Sequence, residues 1–291
     1  MVKYVETTCS EACHKLKRKL PYKWDLNIYR GCEHGCKYCY AIYTHKYISS
    51  KDYFSEIHIK TNIVSKFEKL LSSSSWKRDV INLGGVTDSY QPAESKYKIM
   101  PEILKLLIRY RTPCIISTKS SLILRDYDLI SQLAKITYVN IASTITTTDE
   151  SIRRKIEPGG TGIVDRIAVL KEFSKTKAST GLHFMPIIPY LTDSPDNIES
   201  IYSAACDADV KYLLPGVLYL RGETRGYFFN FIKKKYPDLY KPLIDLYKTG
   251  SANKKYKENL YKNIYRFKDK YRVSHDYSRP EWKQPLLFPT L

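Results

Sequence analysis

The sequence predicts an α/β fold: a partial (β/α)6 TIM-like barrel with a helical C-terminal extension. Two patterns carry this. From residue 24 to about residue 220, six short β-rich runs alternate with amphipathic stretches of helical period, and repeated strand–helix units imply a parallel sheet. After Leu220 the strand-like runs stop, and the chain reads as helices rich in Lys and Tyr. With 291 residues, 43% of them hydrophobic, the chain can bury one large core or two smaller ones.

The elements follow in order. Residues 1–23 are polar and charged and read as an N-terminal extension. Residues 24–225 form the barrel, with strands expected at 24–29, 80–83, 114–118, 138–144, 181–187 and 212–218. Helices are expected at 99–110, 127–134, 163–173 and 197–206. Residues 226–291 form a basic, Tyr-rich region packed on the barrel, with helices at 227–236, 239–248 and 253–270. In parallel barrels the active site lies at the C-terminal ends of the strands.

No run of about 18 apolar residues is present, so no membrane span is expected. The N-terminus lacks an apolar signal stretch, which predicts a cytoplasmic protein with reduced thiols. The formal charge is +18. Such a field attracts polyanions, nucleic acid first among them; the alternative is a surface solvated by lysine. Within residues 231–272, 13 Lys/Arg face 4 Asp/Glu, and seven tyrosines are interleaved. Cations mixed with aromatics can bind phosphate and stack bases. Equally, these tyrosines can belong to amphipathic helices packed on the barrel.

The sharpest motif directly follows the first predicted strand: Gly31-Cys32-Glu33-His34-Gly35-Cys36-Lys37-Tyr38-Cys39-Tyr40. Three thiolates within eight residues are soft ligands suited to three corners of an iron–sulfur cubane. No fourth cysteine is nearby, so one iron keeps an open position. A structural zinc site would need four ligands; His34 could supply the fourth, yet no second C-x2-C half exists.

The C-x3-C-x2-C spacing with Tyr38 before the last cysteine resembles the radical S-adenosylmethionine (SAM) superfamily. The flanking strings, from Leu20-Pro21-Tyr22 to Tyr40-Ala41, are similar to the branch related to spore photoproduct lyase, and the likeness spans roughly residues 8–225. The resemblance implies a barrel of the radical SAM type and a [4Fe–4S] cluster on Cys32, Cys36 and Cys39. It also implies SAM as the cleaved co-substrate, a 5′-deoxyadenosyl radical, and a flavodoxin or ferredoxin as electron donor. Lyase chemistry in DNA repair, by a monomer, belongs to the same expectation.

By that resemblance the string Gly84-Gly85-Val86-Thr87-Asp88-Ser89-Tyr90-Gln91-Pro92 is the glycine-rich element that meets SAM, with Gly84, Gly85, Thr87 and Asp88 as contacts. Lys119 would meet a SAM carboxylate and Ser143 its ribose or carboxylate. Tyr38 and Tyr40 would lie near the cofactor, and Pro186 would shape the adenine pocket. Glu157 and Arg166 would pair, to close the site or as a structural salt bridge. His183, in an apolar strand, reads as a hydrogen-bonded core histidine, and Cys114 and Cys206 as buried small hydrophobes. In spore photoproduct lyase a cysteine after the second strand returns hydrogen to the product radical; Val86 stands there in this chain. Tyr90, Cys9 and Cys13 are the candidate donors, with SAM regeneration as a further route. Other substrates left open are a peptide or small metabolite. A non-enzymatic metalloprotein that binds nucleic acid is the remaining alternative.

Overall fold

A computed structural model of the chain describes residues 2–17, 20–47 and 52–277. Its main sheet has seven strands: β2 (Cys13–Lys15), β3 (Trp24–Leu26), β6 (Ile81–Leu83), β7 (Cys114–Thr118), β8 (Val139–Thr144), β9 (Ser179–Ile187) and β10 (Tyr212–Val217). The spatial order is β10-β9-β8-β7-β6-β3-β2, with the six strands from β3 to β10 parallel and β2 antiparallel at the edge. This is the expected six-stranded partial barrel, with one extra edge strand.

Register explains the two faces. Leu26, Leu83, Ile116 and Ile141 pair in one row across four strands, all buried. They face the helices α3 (Ile99–Arg109), α4 (Tyr127–Ile136) and α6 (Ile163–Ser174). Because side chains alternate along a strand, the next row points into the barrel: Ser117, Ala142, Gly181 and Tyr212. That inner row is polar or small, so the barrel keeps room at its centre.

Local signals start the helices. Asp149 caps α5 (Glu150–Ile156) by accepting from Ser151 N and Ile152 N. Ser194 caps α7 (Pro195–Asp207), with Pro195 in its first turn, and Asn253 caps α10 (Lys254–Tyr271). On α10, Leu260, Ile264 and Phe267 recur at helical spacing and bury against Ile198, Ile201 and Tyr202 of α7. Each such burial contributes on the order of 1.5–3 kcal/mol, which fixes the basic helix to the barrel. The intervening helices are α8 (Gly222–Lys235) and α9 (Pro237–Leu246). The 225/226 division expected from sequence falls inside α8, and residues 278–291 lie outside the described residues.

One strand expectation needs correction. Residues 24–29 are not one strand. After β3 the chain leaves the barrel at Asn27 and enters β4 (Tyr29–Arg30), which belongs to a separate three-stranded sheet with β1 (Lys3–Thr7) and β5 (Glu56–Lys60). Asn27 anchors the change: its side chain accepts from Val86 N at 2.9 Å, and its carbonyl from Lys60 Nζ at 2.6 Å. Residues 1–23 thus give one strand to each sheet. The remaining helices are α1 (Ile63–Leu71) and α2 (Ala93–Tyr97), and no described helix is long and apolar enough to cross a membrane.

The Tyr212 ring crosses the barrel floor against Gly181, where an added Cβ would sit 2.0 Å from Tyr212 Cζ. Gly181→Ala should therefore destabilise the fold by about 1–3 kcal/mol, read as a lowered urea midpoint; an unchanged midpoint would refute this packing.

Candidate active site at the strand ends

The cysteine loop crosses the C-terminal mouth of the barrel, between β3 and β4 and the 3-10 helix Tyr40–Tyr47. Gly31 (φ +88°) and Gly35 (φ +63°) turn it in left-handed conformations that a side chain would strain. Cys32 and Cys36 are buried and Cys39 is half-buried. Burial pushes the Cys36 thiol up to about 12 and raises those of Cys32 and Cys39; neighbouring thiolates add to this at Cys32, from Cys36 and Cys39, and at Cys36, from Cys39. Against that, the His34 N–H favours the Cys32 thiolate, and the Ala41 and Ile42 N–H groups with the Tyr53 hydroxyl favour that of Cys39. Backbone donors aimed at buried sulfurs suit a cluster, which itself deprotonates its thiols. Among the described residues, no three His, Cys, Asp or Glu side chains gather closely enough to hold a single ion; a cubane instead takes one thiolate at each of three irons.

Two layers hold this loop. In the first, the buried Asp88 carboxylate accepts from His34 Nε2 (2.9 Å), Tyr90 N (2.9 Å), Thr118 Oγ1 (2.8 Å) and Lys119 N (2.8 Å). Burial alone would raise its pKa, but His34 and the backbone donors hold it well below the usual carboxylate range. Thr87 Oγ1 and Gln91 Nε2 both donate to Gly31 O, at 2.6 and 3.1 Å. In the second layer, Glu157 accepts from Tyr38 OH and from Arg166 Nη1 at 2.5 Å, with Glu157 and Arg166 both fully buried. Arg166 also donates to Thr144 O and Thr161 O. Beside them, Lys119 Nζ lies 5.8 Å from the Tyr38 ring centre. Burial opposes its charge, yet Cys36 and Glu157 outweigh burial and raise its pKa.

Below the loop, the lumen carries a polar floor. His183 contacts Ser117 Oγ (3.2 Å) and Tyr212 OH (3.4 Å), and Tyr212 OH donates to Asn140 Oδ1 (2.8 Å). Asn140 Nδ2 is buried with no partner among the described residues.

The family model of the "Radical SAM superfamily" matches residues 26–201. The chain belongs to the radical SAM superfamily. It is therefore a radical SAM enzyme, with a [4Fe–4S] cluster and SAM as its cofactors. An uncharacterized protein of Mycobacterium tuberculosis is 30% identical over 98% of this chain and 86% of its own length. One of Methanocaldococcus jannaschii is 27% identical over 86% of this chain and 92% of its own. The fold matches spore photoproduct lyase solved with SAM and dinucleoside spore photoproduct, at TM-score 0.67 and 13% identity, over 92% of this chain and 79% of that one.

Within this radical SAM fold, most residues singled out from sequence converge on the mouth. Tyr38, Lys119 and Glu157 lie beside Cys36; Gly85 lies over Asp25, where a Cβ would meet the carboxylate at 2.5 Å, and Gly84 (φ +95°) turns against Thr87 and Ser89. Tyr40 is exposed and donates to Gly85 O. Pro186 is half-buried near the end of β9. The hydroxyl of Thr87 and the carboxylate of Asp88 are engaged in clamping the loop.

Other expected residues do not converge there. Ser143 pairs in register with Leu182 of the helix-facing core and donates to Thr118 O (3.2 Å), so its side chain lies behind the sheet. Period-two alternation puts Thr144, paired with His183, on the lumen side instead. Tyr90 is fully buried, with its hydroxyl on Asp126 (3.1 Å), in a network with Arg125 and Glu94. Cys9 bonds Asn62, and Cys13 sits on edge strand β2, pushed up to about 12 by burial. Cys114 is buried as expected, but Cys206 is exposed, because it lies on the outer face of the last turn of α7. Sequence reasoning did not single out Ser117, Asn140 and Tyr212 as lining the lumen; their signal was inward register across neighbouring strands.

Two outcomes test this site. Arg166→Met leaves the buried Glu157 carboxylate without its partner, which should cost about 3–5 kcal/mol in urea denaturation; adding Glu157→Gln should restore much of it. Burial first, then Lys119, pushes the His183 imidazole down to about 4. The fold thus holds it neutral, while the unfolded chain takes up a proton near pH 6.5, so stability should fall as pH drops from about 6.5 towards 4. His183→Gln should flatten that part of the stability–pH curve, and an unaltered slope would contradict the assignment.

Proposed function

We propose that this enzyme holds its cluster on Cys32, Cys36 and Cys39 and acts on nucleic acid. The observation that carries this is the placement of the three-thiol loop at the strand ends, above a polar lumen, in a protein of charge +18. When bound, the cofactors supply a 5′-deoxyadenosyl radical that abstracts hydrogen from substrate. The chain's own groups position and shield that chemistry. Lys119, supported by Glu157 and stacked near Tyr38, offers the cation for the SAM carboxylate. Gly84 and Gly85 let backbone approach the ligand, while Tyr40 and Pro186 border its adenine. Thr144 takes the role expected of Ser143, because its hydroxyl belongs to the lumen face.

Support for nucleic acid comes from charge and from the spore photoproduct lyase fold. The hydrogen donor is the weak point of strict dimer repair: Val86 replaces the thiol, Tyr90 and Cys9 are bonded elsewhere, and Cys13 is buried on the edge strand β2. This favours hydrogen return through SAM, or a different nucleic-acid reaction. The protein is read as a cytoplasmic monomer fed by flavodoxin or ferredoxin.

Anaerobic reconstitution tests the core of this reading. The wild type should take up about four irons per chain and release 5′-deoxyadenosine from SAM under reductant. Cys32→Ala, Cys36→Ala and Cys39→Ala should each lose the cluster spectrum and drop 5′-deoxyadenosine to background. Zinc in place of iron, or undiminished cleavage in any of these variants, would overturn the ligand set. Mass spectrometry of damaged oligonucleotides after turnover tests the substrate class.

A further inference from the structure

Beside the lumen, at the ends of β9 and β10, large apolar and aromatic side chains are exposed together. Tyr190 is 47% exposed, Tyr219 51% and Met185 37%. Single exposed tyrosines are ordinary, but these are held in place. Tyr190 has φ +63°, a left-handed conformation strained for a bulky residue. Its loop is locked: Leu191 N and Thr192 N donate to Ile188 O, and the buried Thr192 hydroxyl accepts from Ile188 N at 2.8 Å. The fold thus spends strain to keep an aromatic ring in water at the barrel mouth.

The neighbours of these rings are cationic. The Arg221 guanidinium lies 5.5 Å from the Tyr219 ring centre. Tyr219 bridges Ser251, just before α10, and the Tyr190 ring is 6.4 Å from Tyr256 in the first turn of that helix. That turn presents exposed Lys254 and Lys255 and has no acidic residue. The nearby anions are Asp193, engaged by Tyr256 OH (2.6 Å), Glu258, 3.7 Å from Lys254, and exposed Glu223. Met185 packs against Gly216 and shares a strand face with His183, so an apolar step joins the exposed rings to the lumen.

We infer that Tyr190 and Tyr219, with Arg221, Lys254 and Lys255, form a binding strip for a nucleic acid strand with unpaired bases, whose bases stack on the two rings while its phosphates meet the cations. This rests on the nucleic-acid reading above and specifies its surface. Every base has a π-face, so stacking is tolerant of sequence, while cations supply salt-dependent attraction. A base taken out of a duplex needs such a platform before entering an enclosed site.

The test is fluorescence anisotropy of the full chain with homothymidine and homouridine oligonucleotides of about a dozen nucleotides and with a duplex, over a range of salt. The wild type should bind single strands more tightly than duplex. Tyr190→Ala and Tyr219→Ala should each weaken single-strand binding roughly tenfold or more, while Tyr190→Phe and Tyr219→Phe keep it. Arg221→Ala should lower the salt slope by about one. Lys105→Ala, on the remote helix α3, should leave binding unchanged, and circular dichroism melts confirm folding of each variant. Wild-type binding that the Tyr→Ala variants share overturns the strip and spares the substrate class. Equal affinity for duplex and single strands overturns the stacking. No salt-dependent binding by the wild type overturns the nucleic-acid reading together with the strip. The two oligonucleotide series tell DNA from RNA.

Discussion

The buried Asp88 carboxylate is the interaction on which the mouth of this barrel depends. A carboxylate in a dry site is costly unless donors replace its water. Here four do, and they come from three segments: His34 in the cysteine loop, Tyr90 in its own loop, and Thr118 and Lys119 at the end of β7. The carboxylate therefore ties the cysteine loop to two successive strand ends. Loops at a barrel mouth have few apolar contacts of their own. Directional bonds to one anion are what give this one a defined shape.

A second constraint closes the barrel's open side. Six parallel strands do not complete a ring, so β3 and β10 are not neighbours in the sheet. α8 leaves the end of β10 and reaches the cysteine loop. There Thr224 Oγ1 donates to Cys39 O (3.0 Å), and Tyr227 OH accepts from Lys37 Nζ (3.2 Å). The first loop and the last helix of the barrel thus support each other. The C-terminal region thereby packs directly on the cysteine loop rather than standing apart from it.

What was legible in the sequence was whatever periodicity or spacing encodes. Strands β7 to β10 and helices α4, α6 and α7 follow from buried runs alternating with helical stripes, the short α5 does not, and the cysteine triad follows from spacing alone. The small sheet was not legible. β1 and β5 are half-polar five-residue runs, Lys3–Thr7 and Glu56–Lys60, whose pairing depends on a partner some fifty residues away. The split of residues 24–29 was hidden for the same reason, since Asn27 acts through Val86 and Lys60. Ser143 and Tyr90 show a different limit. Both sit in the expected segment, but a strand has two faces and a loop residue can turn inward. One position of register put Thr144 in the lumen and Ser143 behind it, and Asp126 drew the Tyr90 hydroxyl into the core.

The basic, Tyr-rich tail posed a choice in the sequence between packing and binding, and the helix geometry removes the conflict. On α10, Leu260, Ile264 and Phe267 lie on one face, against α7. Lys254, Lys255, Lys262 and Arg266 are exposed on the rest of its circumference. Its tyrosines divide the same way: Tyr256 and Tyr271 spend their hydroxyls on Asp193 and Glu199, while Tyr265 is exposed. Packing and the proposed binding are compatible, because a cation on a frayed helix would pay ordering entropy each time it met a phosphate. Anchoring by three apolar side chains removes that cost and sets the first turn beside Tyr190 and Tyr219. The stripe that reads as mere core is thus the reason a positive surface can stand fixed at the mouth of the barrel.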